Sequence, residues 1–151
     1  MGIRCFLIEP IWGEPLPEPR GFKNGEWPPD RYILGYRRPD TGEEHKYTHE
    51  FGVGAMWRAT WYPRNMTWNN ETEPHLIVCC PNGPEATRDW DIDSRASNCG
   101  LPEDRLHRCW VRRGEPPNLT VDKAGVTCAA GAGSIALPNW HGFLRNGELT
   151  L

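Results

Sequence analysis

Apolar residues along this chain fall in short runs, and polar positions interrupt them at strand spacing rather than helix spacing. Ile3-Arg4-Cys5-Phe6-Leu7-Ile8 predicts a first strand, stopped by Pro10. Residues 31–38 and 44–49 predict a hairpin around Pro39-Asp40-Thr41-Gly42, where Pro and Gly suit a tight turn. Over 56–62 the alternation is clean, with Trp57, Ala59 and Trp61 on one side and Met56, Arg58, Thr60 and Tyr62 on the other. That pattern predicts a half-buried strand with two tryptophans on its inner face. His75-Leu76-Ile77-Val78-Cys79-Cys80 is continuously apolar and predicts a central strand, ended by Pro81-Asn82-Gly83-Pro84.

The second half continues in the same style. In Asp89-Trp90-Asp91-Ile92-Asp93, Trp90 and Ile92 are expected to point inward and the three aspartates outward. Residues 107–112 predict a strand closed by Gly114 and Pro116-Pro117. Residues 118–121 and 125–128 are expected to flank a short Asp122-Lys123-Ala124 turn. Gly142-Phe143-Leu144-Arg145 and Glu148-Leu149-Thr150 frame Asn146-Gly147, the strongest two-residue hairpin signal. No window of about eleven residues carries helical periodicity, so helical turns are expected only near 84–88 and 101–106. The fold class is therefore mostly β: a small compact antiparallel sheet, or a sandwich or barrel, with long Pro-rich loops. Residues 1–151 read as one domain, with a Cys/His-containing β core over 76–151.

Residues 10–30 break the pattern with six prolines and three glycines. Proline lacks the N–H that helices and central strands need, so this stretch predicts an extended surface loop or arm pinned by Trp12, Phe22 and Trp27. A loop packed on its own domain and an arm laid on a neighbouring subunit both fit.

Composition sharpens the picture. Of 151 residues, 16 are Gly and 15 Pro, and only 27 are Leu, Ile, Val or Phe. Eight tryptophans offset that thin aliphatic supply, because each buries a large area. The net charge of −3 is spread evenly along the chain, which argues against an electrostatic nucleic-acid or membrane binder. The apolar start of the chain is too short for a signal peptide or a membrane span, and Met1-Gly2 lacks the Ser or Thr at position 6 of a myristoylation site. The expectation is a protein of the cytoplasm in which it is made. Sequons at Asn65, Asn70 and Asn118 then read as chance matches.

Six cysteines are too few for a disulfide scaffold. The richest chemical constellation is Cys99, His107, Cys109 and Cys128, with His141 and Cys80 as alternate members. His107 and Cys109, two apart on a strand, leave the same face, and three thiolates with one imidazole suit tetrahedral zinc. A domain poor in aliphatics would gain stability from such a site. Buried thiols, or a Cys99–Cys109 disulfide, are the competing readings. Cys79 and Cys80, as strand neighbours, must face opposite ways.

Arg105, Arg108 and Arg112 could hold an anion such as a nucleotide phosphate, with a solvated rim as the alternative. The Asp89/Asp91/Asp93 spacing opens like a calcium loop, but Ser94 stands at its sixth position and Gly100 at its twelfth, so a solvated acidic face is expected. Gly131-Ala132-Gly133-Ser134-Ile135-Ala136 fits a dinucleotide fingerprint, yet Leu137-Pro138-Asn139 blocks the helix it requires.

Several runs carry a resemblance: Asp89-Trp90-Asp91-Ile92-Asp93-Ser94-Arg95-Ala96-Ser97-Asn98-Cys99, His107-Arg108-Cys109-Trp110-Val111-Arg112 and Trp140-His141-Gly142-Phe143-Leu144-Arg145-Asn146-Gly147. Together with the runs beginning at Asn118 and Thr127, they resemble small uncharacterised proteins of tailed bacteriophages over residues 89–147. The closing run is also loosely similar to a bacterial domain of unknown function whose Cys and His look zinc-ligating. The resemblance implies a phage origin and carries no activity with it. The leading expectation is a non-enzymatic phage protein, virion-associated or accessory, stabilised by zinc and contacting other protein subunits, either its own copies or virion proteins. Its expected location is the host cytoplasm when made, with the virion as a further option. A counter-defence binder of a small anionic ligand and a thiol- or metal-dependent hydrolase stand as alternatives.

Overall fold

The computed structural model describes residues 2–14, 33–58, 75–94, 109–123 and 133–151. Their strands, in chain order, begin with β1 (Ile3–Arg4), β2 (Phe6–Leu7), β3 (Glu9–Trp12), β4 (Ile33–Arg37) and β5 (Glu44–His45). A 3-10 turn, Thr48–Phe51, precedes β6 (Ala55–Arg58), β7 (Leu76–Pro81) and β8 (Thr87–Asp91). The series closes with β9 (Trp110–Arg113), β10 (Thr120–Lys123), β11 (Ile135–Leu137), β12 (Trp140–Arg145) and β13 (Glu148–Thr150). They form four small open sheets ordered β1-β13-β12-β11, β2-β6-β7-β8, β3-β4-β5 and β10-β9, antiparallel except for the β2–β6 pair. The mostly-β expectation holds. Most of the Pro-rich stretch, residues 15–30, lies outside the described residues.

The sheet β2-β6-β7-β8 is the partition of the molecule. Because side chains alternate across a strand, Met56, Leu76, Val78 and Cys80 enter one core, while Ala55, Trp57, Ile77 and Cys79 enter another. Cys79 and Cys80 do face opposite ways. Covered on both sides, β6 is not the half-buried strand expected: Met56 is as buried as Trp57. Residues 59–62 of that predicted strand lie outside the described residues. Trp90 and Ile92 point inward as expected, and Trp90 meets Trp110 edge to face at 5.2 Å between ring centroids. The Trp110 indole donates to the Ser134 carbonyl at 3.2 Å, so its donor is met inside the core.

One N-terminal segment ties three sheets together. Ile3 and Arg4 pair with Leu149 and Glu148. The next amides donate to Gly147 (from Cys5), Gly54 (from Phe6) and Met56 (from Ile8), at 2.8–3.0 Å. Glu9 to Trp12 then pair with β4. Pro10 does not stop this run. It sits on β3, which among the described residues is an edge strand with a single neighbour, where a missing N–H costs no ladder bond on the open side.

At the other end of the chain the predicted hairpin is present. Asn146 (φ 50°) and Gly147 (φ 76°) both take the left-handed conformation that a two-residue turn of this kind requires. The Gly147 amide also reaches the Leu119 carbonyl at 2.9 Å, which fastens the turn to the start of β10.

Three local expectations are revised. The return strand of the first hairpin is only Glu44–His45, because the chain coils into the 3-10 turn, where the Glu50 carboxylate accepts the Tyr47 amide at 3.0 Å. The helical turn expected at 84–88 is instead a loop closed by the Asn82 amide on the Ala86 carbonyl, leading into β8. Asp122 and Lys123, expected in a turn, belong to β10 and pair with Val111 and Trp110. The strand expected at 107–112 appears as β9, with 107 and 108 outside the described residues. Residues 101–106 and 125–128 also lie outside them. Among the described residues no helix is long and apolar enough to cross a membrane.

Candidate functional site

Of the proposed zinc ligands, Cys109 lies in the larger core immediately before β9, with its amide on the Ser94 carbonyl at 3.2 Å. Cys99, His107 and Cys128 lie outside the described residues, as do Arg105 and Arg108. The alternates, Cys80 and His141, are not brought together. Cys80 is fully buried, whereas His141 is exposed on the side of β12 opposite the buried Leu144. Among the described residues no three His, Cys, Asp or Glu side chains form a metal-holding group. Burial pushes the Cys5 thiol up to about 12, and raises those of Cys79 and Cys80 as well. These sulfurs stay protonated at neutral pH and are poor nucleophiles. Gly133-Ser134 leads into β11 rather than a helix, as the reading of that motif anticipated.

The acidic strand behaves differently from the solvated face expected of it. Strand β8 ends at Asp91, and the turn that follows carries Asp93 inward until it is 1% exposed. One Asp93 oxygen accepts the Leu76 amide at 3.0 Å and the other accepts Arg112 Nε at 3.0 Å. Asp91 accepts the Asp93 amide at 2.9 Å and pairs with Nδ1 of the buried His75 at 2.7 Å. Buried charge of this kind persists because each carboxylate is paired and hydrogen-bonded. Arg112, read from the sequence as an anion ligand, spends its Nε on Asp93.

A cavity of about 340 Å³ opens where three elements meet. The N-terminal strands contribute Glu9, Pro10 and Trp12, β6 contributes Trp57 and Arg58, and the loop after β9 contributes Glu115 and Pro116. The joined β2–β3 segment brings residues 7–12 across the end of β6, which is why positions so far apart in the chain share one wall. Trp57 is 1% exposed, and among the described residues its buried indole N–H has no acceptor. Arg58 and Trp12 have partners of their own. The Glu115 side chain is exposed. A concave apolar wall with a few polar groups is the usual form of a binding site. Sequence reading placed Trp57 in a core and Trp12 as a pin for the loop, and it did not single out Glu9, Arg58 or Glu115. No local signal marks these three, because only the crossing of distant strands makes them neighbours.

Comparison with known protein families, with curated proteins and with solved structures finds no match to this chain.

Proposed function

We propose that this chain is a non-enzymatic accessory protein of a tailed bacteriophage, associated with the virion, that works by binding other protein subunits. The observation that carries this reading is the fate of its chemically capable side chains. His75, Asp91, Asp93 and Arg112 are joined to one another and to the backbone in ways that hold β7, β8 and β9 together. The described thiols with raised pKa values, Cys5, Cys79 and Cys80, are buried and protonated. These groups serve the framework, while the cavity offers an apolar wall suited to holding a partner.

The zinc part of the reading rests on the spacing of Cys99, His107, Cys109 and Cys128, and the burial of Cys109 suits a ligand of a structural site. Peptide mass spectrometry of purified phage particles tests the virion role, with the chain expected at a fixed ratio to other particle proteins. Its absence from particles overturns that role. Metal analysis of the purified chain should find one zinc per chain, lost together with the fold on chelation. A metal-free chain that melts at the same temperature overturns the zinc site.

A further inference from the structure

We infer that Asn82 is a self-modification site, at which the Gly83 amide nitrogen displaces the side-chain nitrogen and water then yields aspartate and isoaspartate. The fold suppresses the same chemistry at Asn146.

The chain has three asparagine–glycine steps, Asn24-Gly25, Asn82-Gly83 and Asn146-Gly147. Cyclisation is easiest before glycine, where no side chain crowds the attacking nitrogen. Local sequence therefore makes the three alike. Asn24 lies outside the described residues. The other two steps sit in turns with a left-handed glycine, φ 104° at Gly83 and 76° at Gly147. They differ in what the reacting groups are bonded to.

At Asn146 the nucleophile is held. The buried Gly147 amide donates to the Leu119 carbonyl at 2.9 Å and must leave it before it can attack. The Asn146 amide donates to the Thr120 hydroxyl at 3.0 Å, and that hydroxyl donates to Asn146 Oδ1 at 3.4 Å. At Asn82 the arrangement is reversed. Among the described residues the Gly83 amide donates to no acceptor, while Asn82 Oδ1 accepts the Asn139 amide at 2.8 Å. That N–H draws electron density from the carboxamide carbon and stabilises the charge that builds on its oxygen during attack. Asn82 and Gly83 are half-buried, and residues 84–88 beside them are exposed, so water reaches the turn.

The Gly83 nitrogen gives its proton to hydroxide and bonds to Asn82 Cγ. The Cγ–Nδ2 bond breaks, and Nδ2 takes up a proton and leaves as ammonia. Water then adds to either carbonyl of the five-membered imide, giving aspartate or isoaspartate. No electron is gained or lost. One amide becomes one carboxylate, so the net charge passes from −3 to −4. Isoaspartate also lengthens the main chain by one carbon. It does so where the Asn82 amide closes the loop on the Ala86 carbonyl at 2.8 Å and where the Asn139 contact ties that loop to the turn between β11 and β12.

The test is incubation of the full chain in oxygen-labelled water at mildly alkaline pH, folded and in urea, followed by peptide mapping. Mapping is needed because Asn24 contributes its own charge variants. In the folded chain, label should enter residue 82 about tenfold faster than residue 146, the factor that one hydrogen bond broken beforehand is worth. In urea both steps lose their surroundings and should label at similar rates. Equal rates in the folded chain overturn the inference. So does an unlabelled residue 82 in the folded chain when both positions label in urea. A preference for residue 82 that persists undiminished in urea also overturns it, because local sequence and not the fold would then be its cause.

Discussion

Replacing Asp93 with alanine should be among the most damaging single changes in this protein. The carboxylate is 1% exposed and accepts hydrogen bonds from the Leu76 amide and from Arg112 Nε, each at 3.0 Å. Its removal withdraws the acceptor from an amide at the start of β7, where Leu76 to Cys80 are buried. It also leaves the Arg112 guanidinium, 20% exposed, without this counter-charge. Breaking a buried pair from one side costs about 3–5 kcal/mol, and Arg112 retains some solvent, so about 3 kcal/mol is expected.

The internal control is Arg113–Asp122, one residue further along β9. Its 3.2 Å contact is similar, but the two side chains are 69% and 48% exposed. Exposed pairs contribute about 0–1 kcal/mol, so Asp122→Ala should cost no more than that. Urea unfolding at neutral pH reads both. With a slope of about 2 kcal/mol/M, Asp93→Ala should lower the midpoint by about 1.5 M, and Asp122→Ala by less than about 0.5 M. The double variant Asp93→Ala/Arg112→Met should recover part of the loss, because it removes the stranded charge as well. Equal midpoints for Asp93→Ala and Asp122→Ala would refute the claim that burial decides the worth of these two pairs.

Two further outcomes follow from the framework. Gly54 has φ +97°, and a Cβ there would stand 2.7 Å from the Arg4 carbonyl oxygen. Gly54→Ala should therefore cost about 2 kcal/mol or more, whereas Gly42→Ala, with φ +82° and open space around it, should cost about 1 kcal/mol. Equal thermal shifts in the two variants would show that the close approach of the N-terminal segment is not what holds Gly54. The second concerns thiols and pH. Cys5 is buried and its pKa lies near 12 against an ordinary 9.0, so at pH 8 about one molecule in ten thousand carries the thiolate there. Maleimide followed by peptide mapping should modify Cys5 only in denaturant. Because the unfolded thiol loses its proton first, Cys5 contributes stability fully below pH 9, and that contribution fades as pH rises toward 12. Rapid modification of Cys5 in the native chain at pH 8 would contradict its burial.

The elements legible from the sequence are those whose signal is local. The apolar run 75–80 announced a central strand, and both faces of β7 are indeed covered. Asn146-Gly147 announced its turn, because so few residue pairs tolerate two consecutive left-handed conformations. Trp90 and Ile92 followed their alternation into the core. The same alternation failed at Asp93 because it holds only while the chain stays extended, and β8 ends two residues earlier. Pro10 misled for a related reason: proline forbids a central strand, and nothing local says that β3 lies at an edge.

Short strands and tight turns, with tryptophans completing the cores, are written into the local order of residues. Those properties depend on residues one or two positions apart, where pleat and turn geometry leave little choice. That residues 3–12 serve three sheets, that Asp93 and Arg112 are partners, and that Trp57 and Glu115 line one cavity follows from how distant strands come together. Strand pairing joins backbone amides and carbonyls that are chemically alike at nearly every position. The choice of partner is therefore settled by the packing of the whole chain, and only once that choice is made do distant side chains become a site.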